Sequence, residues 1–202
     1  MGVIGTLQRK TEGFTIVELI LVIVIIGVLV TIVILAYPGY QQRARDSERQ
    51  SDMRQLSAAL SAYALQKNNY VGSASGCGVS GNGNGWINAG PSDLAIYTRP
   101  IVSCLQDANV LAAGVFMDPL GCIYDSGGKC GIYRTTPAQA YMKATCTKNS
   151  NSVTYVFTHL EGSPRKDSEV DALCDSGSVS GFDTTGQLWG TNYGMNYYLT
   201  IK

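Results

Sequence analysis

Residues Leu19 to Tyr37 carry no charge, and almost every one is Leu, Ile or Val until Ala36. A helix rises about 1.5 Å per residue, so a run near 20 residues is long enough to cross a hydrocarbon core. A buried helix of a soluble protein rarely runs so far without a polar face. The run therefore predicts a membrane-spanning helix. Glu18 stands at its mouth, where a bare carboxylate is costly unless it has a partner or a task. An ordinary secretory signal would need small residues spaced for cleavage after the greasy core. Here the core passes into Ala36-Tyr37-Pro38-Gly39-Tyr40, so the segment is expected to stay attached.

Arg9 and Lys10 precede the run and favour a cytoplasmic N-terminus. Arg43 and Arg45 on the far side weaken that preference. The six cysteines restore it, because Cys77, Cys104, Cys122, Cys130, Cys146 and Cys174 all follow residue 70. An even number of cysteines in a small domain outside the cytoplasm reads as a disulfide framework, with fifteen connectivities open to six cysteines. The Gly127-Gly128 turn suits a short Cys122–Cys130 pair. Cys146–Cys174 would then staple the main strand to the following loop, leaving Cys77–Cys104. Gly27 and Thr31, four apart in the run, suit either a helix contact face or ordinary membrane-helix composition.

From Gln41 to Gln66 few residues break a helix, and Ala, Arg, Gln, Leu and Met favour one. Asp46 and Arg49, and Arg49 and Asp52, are spaced to pair across a turn for a few tenths of a kcal/mol. Met53, Leu56, Leu60, Tyr63 and Ala64 fall on one face and are expected to cover a core. A continuous helix from about Phe14 to Gln66, kinked at Pro38-Gly39, is the preferred reading.

Beyond Tyr70 the composition changes. Most of the 23 glycines lie there, and Gly72 to Trp86 reads as a loop. A short helix or two is expected between Pro91 and Ala113. Asp118-Pro119 signals a turn. Val153 to Leu160 is the cleanest strand, and Asn196 to Ile201 a late one. Cys122–Tyr124 and Gly131–Arg134 read as shorter strands, and Gly162 to Asp171 as exposed. The fold class expected is α+β: a long N-terminal helix whose second half packs against a small antiparallel sheet.

The 15 basic and 15 acidic residues balance, which argues against direct nucleic-acid binding. No serine or cysteine is matched to a base, so no catalytic residue is assigned. His159, the single histidine, sits in a strand pattern and reads as structural. There is no CxxC pair for zinc and no phosphate-loop lysine. Asp118, Asp125 and Asp183 offer oxygens but no spaced calcium loop, so solvated surface is favoured, and no cofactor or metal is expected.

Gly13-Phe14-Thr15-Ile16-Val17-Glu18, followed by the apolar run, resembles the start of type IV pilins and of the pseudopilins of type II secretion. The likeness is strong from Lys10 to about Tyr70 and weaker beyond it, where Asp118-Pro119-Leu120-Gly121 and Tyr155 to Glu161 resemble sheet segments of that family. Gly27 matches a helix-loosening glycine of that family, while Leu35 stands where its kinking proline usually lies, with Pro38 slightly later. The resemblance implies a leader, 1–13, cut after Gly13 by a membrane-embedded prepilin peptidase, which then methylates the amine of Phe14. It implies a spanning half of the helix at 14–39, an exposed amphipathic half at 40–69 and a disulfide-stabilised head at 70–202. Glu18 would neutralise the terminal amine of a neighbouring Phe14 during assembly. The expected partners are other filament subunits, the peptidase, a membrane assembly platform and, before assembly, the bilayer. The function expected first is a structural subunit of a surface pilus serving adhesion, motility or DNA uptake. The alternative is a secretion pseudopilin, and a membrane-anchored enzyme is disfavoured.

Overall fold

The computed structural model describes residues 13–72, 75–89, 96–112, 116–121, 139–162, 167–175 and 189–201. The chain divides into two compact units, Met1–Gln41 and Gln42–Lys202. The first helix, α1 (Ile16–Lys67), begins in one and ends in the other.

In the first unit the apolar side chains of α1 point outward, and none of its most apolar stretch is buried within the protein. This helix is long and apolar enough to cross a membrane. Thr31, within the uncharged run, is satisfied locally: its Oγ1 donates to the carbonyl of Gly27 at 2.8 Å. Such back-bonding lets a polar side chain sit in hydrocarbon. Pro38 lies inside α1 and does not end it.

The second unit is an α+β fold. The four-stranded antiparallel sheet has the order β2 (Gly85–Trp86), β4 (Met142–Lys148), β5 (Asn151–Thr158) and β6 (Tyr197–Ile201). Strands β4 and β5 form a hairpin in which Lys148 pairs with Asn151. Asn149 and Ser150 make its two-residue turn, both at positive φ (50° and 66°), the geometry that follows the natural strand twist. A second ladder joins β1 (Gly78–Val79) to β3 (Tyr97–Arg99), and α2 (Ile101–Asp107) follows it. The short helices α3 (Asp167–Asp171) and α4 (Trp189–Tyr193) precede β6.

Alternation along β5 builds two cores, one on each face of the sheet. Val156 joins Met53, Leu56, Leu60 and Tyr63 of α1, with Ile101 and Leu105 of α2. The next residue on either side, Tyr155 and Phe157, turns to the opposite core with Trp86, Met142 and Trp189. The Phe157 and Trp189 rings lie 4.7 Å apart. The helical stripe read from sequence is thus the face that meets the sheet, with Ala59 added and Ala64 at its half-buried margin.

Several expectations shift. The main strand runs Asn151–Thr158 and stops short of His159 and Leu160. Strand β4 was unread, because MKATCTK has only weak apolar alternation. The loop expected over Gly72 to Trp86 contains β1 and β2. The segment ending at Asp171, expected to be exposed, holds α3, whose Val170 is fully buried. Cys122–Tyr124 and Gly131–Arg134 lie outside the described residues. Disulfides join Cys77 to Cys104 of α2, and Cys146 of β4 to Cys174 after α3. Cys122 and Cys130 also lie outside the described residues.

The loop between α1 and the sheet is organised by a lysine with no solvent exposure. Lys143 Nζ donates to Gly83 O (2.8 Å), Thr145 Oγ1 (3.0 Å), Val71 O (3.3 Å) and Asn84 Oδ1 (3.4 Å). Burial pushes its amine down to about 7. The surrounding oxygens suit an ammonium, whose three protons all need acceptors when water is excluded. Gly83 sits at φ +79°, and a Cβ there would lie 1.5 Å from the Val71 carbonyl oxygen. Gly83→Ala is therefore expected to cost about 2–4 kcal/mol, through positive φ and collision together. Denaturant unfolding would read this, and a loss under about 1 kcal/mol would contradict it.

Candidate functional site

Thr15-Ile16-Val17-Glu18 opens α1 as a capping box. Glu18 Oε2 accepts from the Thr15 amide and from Thr15 Oγ1, both at 2.8 Å. In return the Glu18 amide donates to Thr15 Oγ1 at 3.3 Å. Two otherwise orphaned helix-start donors are satisfied, and the carboxylate lies in the first turn, where the helix dipole favours a negative charge. Phe14 immediately precedes this cap with its ring 87% exposed. The S/T-x-x-E pattern ahead of an apolar run could have been read from sequence, since it is a capping signature in its own right. The same unit places Gly13 and Phe14 just before the helix and outside its hydrogen-bonded turns.

The second unit gathers another charged group that the spacing of residues only partly indicated. Arg49 of α1 has a side chain only 1% exposed. It grips Asp118 with two bonds, Nε to Oδ2 at 2.6 Å and Nη2 to Oδ1 at 2.8 Å. Its Nη1 donates to Asp46 Oδ1 and Glu161 Oε1, each at 3.0 Å. Arg45, one turn earlier, makes two further bonds to Glu161 at 2.7 and 2.6 Å. Asp46 also accepts from the backbone amides of Glu161 (2.9 Å) and Gly162 (2.8 Å). One turn of helix thereby holds the loop at Asp118 and the end of the segment after β5.

The expected Asp46–Arg49 pair is present, but it belongs to this buried network and not to a solvated helix face. The expected Arg49–Asp52 pair is absent among the described residues, because Asp52 accepts instead from Tyr141 Oη at 2.7 Å. The turn expected at Asp118-Pro119 is present, with the Gly121 amide donating to the Asp118 carbonyl at 2.7 Å, but the carboxylate is not solvated surface: Asp118 is 4% exposed and held by Arg49 and the Leu120 amide. No local pattern links residues 49 and 118, so only the fold could bring them together. His159 takes a structural contact, with Nδ1 2.6 Å from the carbonyl oxygen of Gly194. Among the described residues no group of three or more His, Cys, Asp or Glu side chains is placed to hold a metal.

Residues 8–34 match the family model described as the prokaryotic N-terminal methylation motif. The type IV major pilin protein PilA of Myxococcus xanthus is 26% identical over 92% of this chain and 86% of its own length. The type II secretion system core protein G of Escherichia coli is 39% identical, over 30% of this chain and 42% of its own. The fimbrial protein EcpC of Eikenella corrodens is 28% identical over 54% of this chain and 71% of its own. No solved structure gives a significant match.

The chain belongs to the broad type IV pilin and pseudopilin family.

It is a structural subunit of that family and not an enzyme, and its exposed apolar helix makes it membrane-associated. Within the second unit the rest of the fold meets α1 through two kinds of contact, an apolar stripe and an ionic clamp. Burial works against the Arg49 charge, but its bonds to Asp118 and Glu161 outweigh that and hold it protonated well above its usual range. The hydrogen bond from Arg45, aided by Arg49, holds Glu161 down to about 2.

Two outcomes follow for the clamp. Arg49→Met alone leaves Asp118 buried and unpaired, and is expected to cost about 3–5 kcal/mol. Adding Asp118→Leu should recover most of that loss in chemical denaturation, whereas equal and additive losses would refute the pairing. The second concerns acid. The folded state lowers Glu161 from 4.5 to about 2. Its contribution is therefore fully present above pH 4.5 and is lost as pH falls from 4.5 towards 2. Asp52, raised by burial despite its bond from Tyr141, works in the opposite sense. Comparing wild type with Glu161→Gln isolates the first effect: the variant should be less stable at neutral pH and show a shallower loss in acid.

Proposed function

We propose that this pilin-family subunit builds a helical fibre through the first half of α1, with Glu18 as its assembly group. The carrying observation is electrostatic: Glu18 is the one charged residue between Gly13 and Gln42. A prepilin peptidase removes residues 1–13 and methylates Phe14. The new terminal amine of one subunit then neutralises Glu18 of its neighbour, setting the axial register. Before assembly the capping box supplies local donors to the carboxylate, so it is tolerated at the membrane surface. The subunit's partners are other copies, related subunits, the peptidase and a membrane assembly platform. The head, 70–202, faces away from the cytoplasm, beyond the spanning half at 14–39 and the amphipathic half at 40–69.

For the kind of fibre, the short fibre of a type II secretion system has the better support. Four relatives named as secretion core protein G are 33–39% identical over 61–73 residues. This reverses the order expected from the cysteine-rich head, because disulfides stabilise an exported domain whatever fibre carries it. The second reading, a surface pilus, rests on the alignment with PilA, which extends through the head. The alignments with the secretion proteins reach less than half of those proteins' length.

Three measurements on the native cell test the proposal. Terminal-peptide mass analysis should find Phe14 as the first residue, and an uncut Met1 in assembled material would sink the processing claim. Glu18→Ala should leave membrane abundance and leader removal unchanged while fibre yield falls at least about tenfold. Normal yield would defeat the role of Glu18. Disrupting secretion-channel genes should abolish the labelled fibre under the first reading. Long fibres sheared from the cell surface of that mutant would favour the second.

A further inference from the structure

Where α1 ends against β4 and β5, the second unit has a cleft of about 480 Å³. That volume lies within the range of small-ligand pockets, about 300–1,000 Å³. We propose that this cleft is a binding site for a neutral saccharide, a role separate from fibre assembly.

The lining chemistry carries the class of ligand. Among the described residues no charged side chain lines the cleft. Its polar groups are carboxamides (Asn68, Asn69) and hydroxyls (Ser61, Thr145, Ser152), beside the ring of Tyr70. Amides and hydroxyls both donate and accept, which is what a sugar's alternating hydroxyls require. An aromatic ring offers the apolar face that a sugar's C–H surface covers. An anion or cation would meet no charged side chain in this lining, since the nearby Lys143 ammonium is already occupied by protein oxygens. Among the described residues, the side chains of Asn68, Tyr70 and Ser152 form no hydrogen bond within the protein, so their polar groups remain open to a ligand. Leu65 lines the same cleft and is 90% exposed, an apolar surface with nothing from its own chain upon it.

The wall of the cleft is also built at a conformational cost. Asn68, just past the end of α1, adopts the positive φ (58°) common for an asparagine there, and Val71, between the lining residues Tyr70 and Gly72, adopts φ 52°. For a β-branched residue that is a genuine departure from preferred geometry. It persists because the Val71 carbonyl is gripped by Lys143 Nζ and because Gly83, lacking a Cβ, leaves room for it. The Asn69 carboxamide is oriented by accepting from the Gly72 amide at 3.0 Å. Thr145 Oγ1 is fixed by Lys143 and Thr154. Backbone strain held in place by surrounding structure is characteristic of ligand clamps. The segment from Asn68 to Gly72 is thus preorganised, which lowers the ordering cost of binding.

The test uses the full chain in a zwitterionic micelle that contains no sugar headgroup. Glucose, galactose and N-acetylglucosamine are titrated, and the side-chain amide signals of Asn68 and Asn69 are followed by NMR. At least one sugar should bind with a Kd on the order of 1 mM. Ser152→Trp, which fills the cleft from an exposed position, should weaken binding at least about tenfold. Asn68→Gly keeps the positive φ without strain and removes the amide, and should weaken binding without lowering the unfolding midpoint. Absence of any shift with all three sugars up to about 50 mM overturns the proposal. So does binding that survives Ser152→Trp in a protein with an unchanged melting profile. If Ser152→Trp abolishes fibres while the wild type binds no sugar, the cleft is a contact between subunits and the proposal fails. Because binding is read on unassembled protein, this outcome is independent of whether Glu18 directs assembly.

Discussion

A guanidinium almost without access to water organises the head. Arg49 is buried on α1 and meets Asp118, Asp46 and Glu161, with Arg45 completing the pairing of Glu161. Taking a charge out of water is expensive, and the cost is recovered only when geometry and partner number are both favourable. Asp46 lies on the same helix, but Asp118 and Glu161 each depend on another segment being in place. The loop carrying Asp118 and the end of the segment after β5 must both reach one turn of one helix. An apolar contact tolerates sliding by an ångström, whereas a two-bond guanidinium–carboxylate fork does not. The clamp therefore gives the helix and head a single register, while the apolar stripe of Met53, Leu56 and Leu60 provides the bulk of the contact.

Lys143 plays a related part elsewhere in the second unit. Among the described residues no carboxylate lies against it, and its charge is met by carbonyl, carboxamide and hydroxyl oxygens drawn from the turn after α1, the glycine-rich loop and its own strand. This explains why a loop rich in glycine and asparagine has a defined path. Gly83 permits close approach to Val71, and the lysine holds the two carbonyls that this approach brings together. The disulfide from Cys77 to Cys104 closes the same region onto α2. Covalent, ionic and steric constraints converge on a segment that composition alone would describe as loose.

The first unit follows a different economy of forces. From Leu19 to Ala36 its helix exposes an apolar surface broken only by Thr31, and Thr31 and Glu18 both find partners close by in the sequence. Thr31 bonds to Gly27, and Glu18 is held by Thr15. A helix that satisfies its own polar groups can enter a bilayer, and the same self-sufficiency leaves its apolar side chains available to identical neighbours. The proposed assembly role of Glu18 requires an exchange of partners, from the donors of its own cap to a terminal amine on another chain.

Local sequence was enough for everything that depends on near neighbours. The uncharged run before Pro38, the stripe from Met53 to Tyr63 and the branched, aromatic strand around Val156 each carry their own period, so helix, helix and strand were legible. The family likeness at Gly13 to Glu18 was legible for the same reason, since its residues are contiguous. Strand β4 was not, because MKATCTK takes its strand character from pairing with β5 and not from a strong pattern of its own. The capping box is also contiguous, in the letters Thr15 to Glu18, where the same glutamate carries both a local and a longer-range role. What only tertiary structure decided are the contacts that span scores of residues: Arg49 with Asp118, Lys143 with Gly83 and Val71, and the cleft formed by Asn68, Asn69 and Ser152. A charged residue on a helix looks solvated until the fold removes its water, and its meaning depends on which distant group arrives to replace that water.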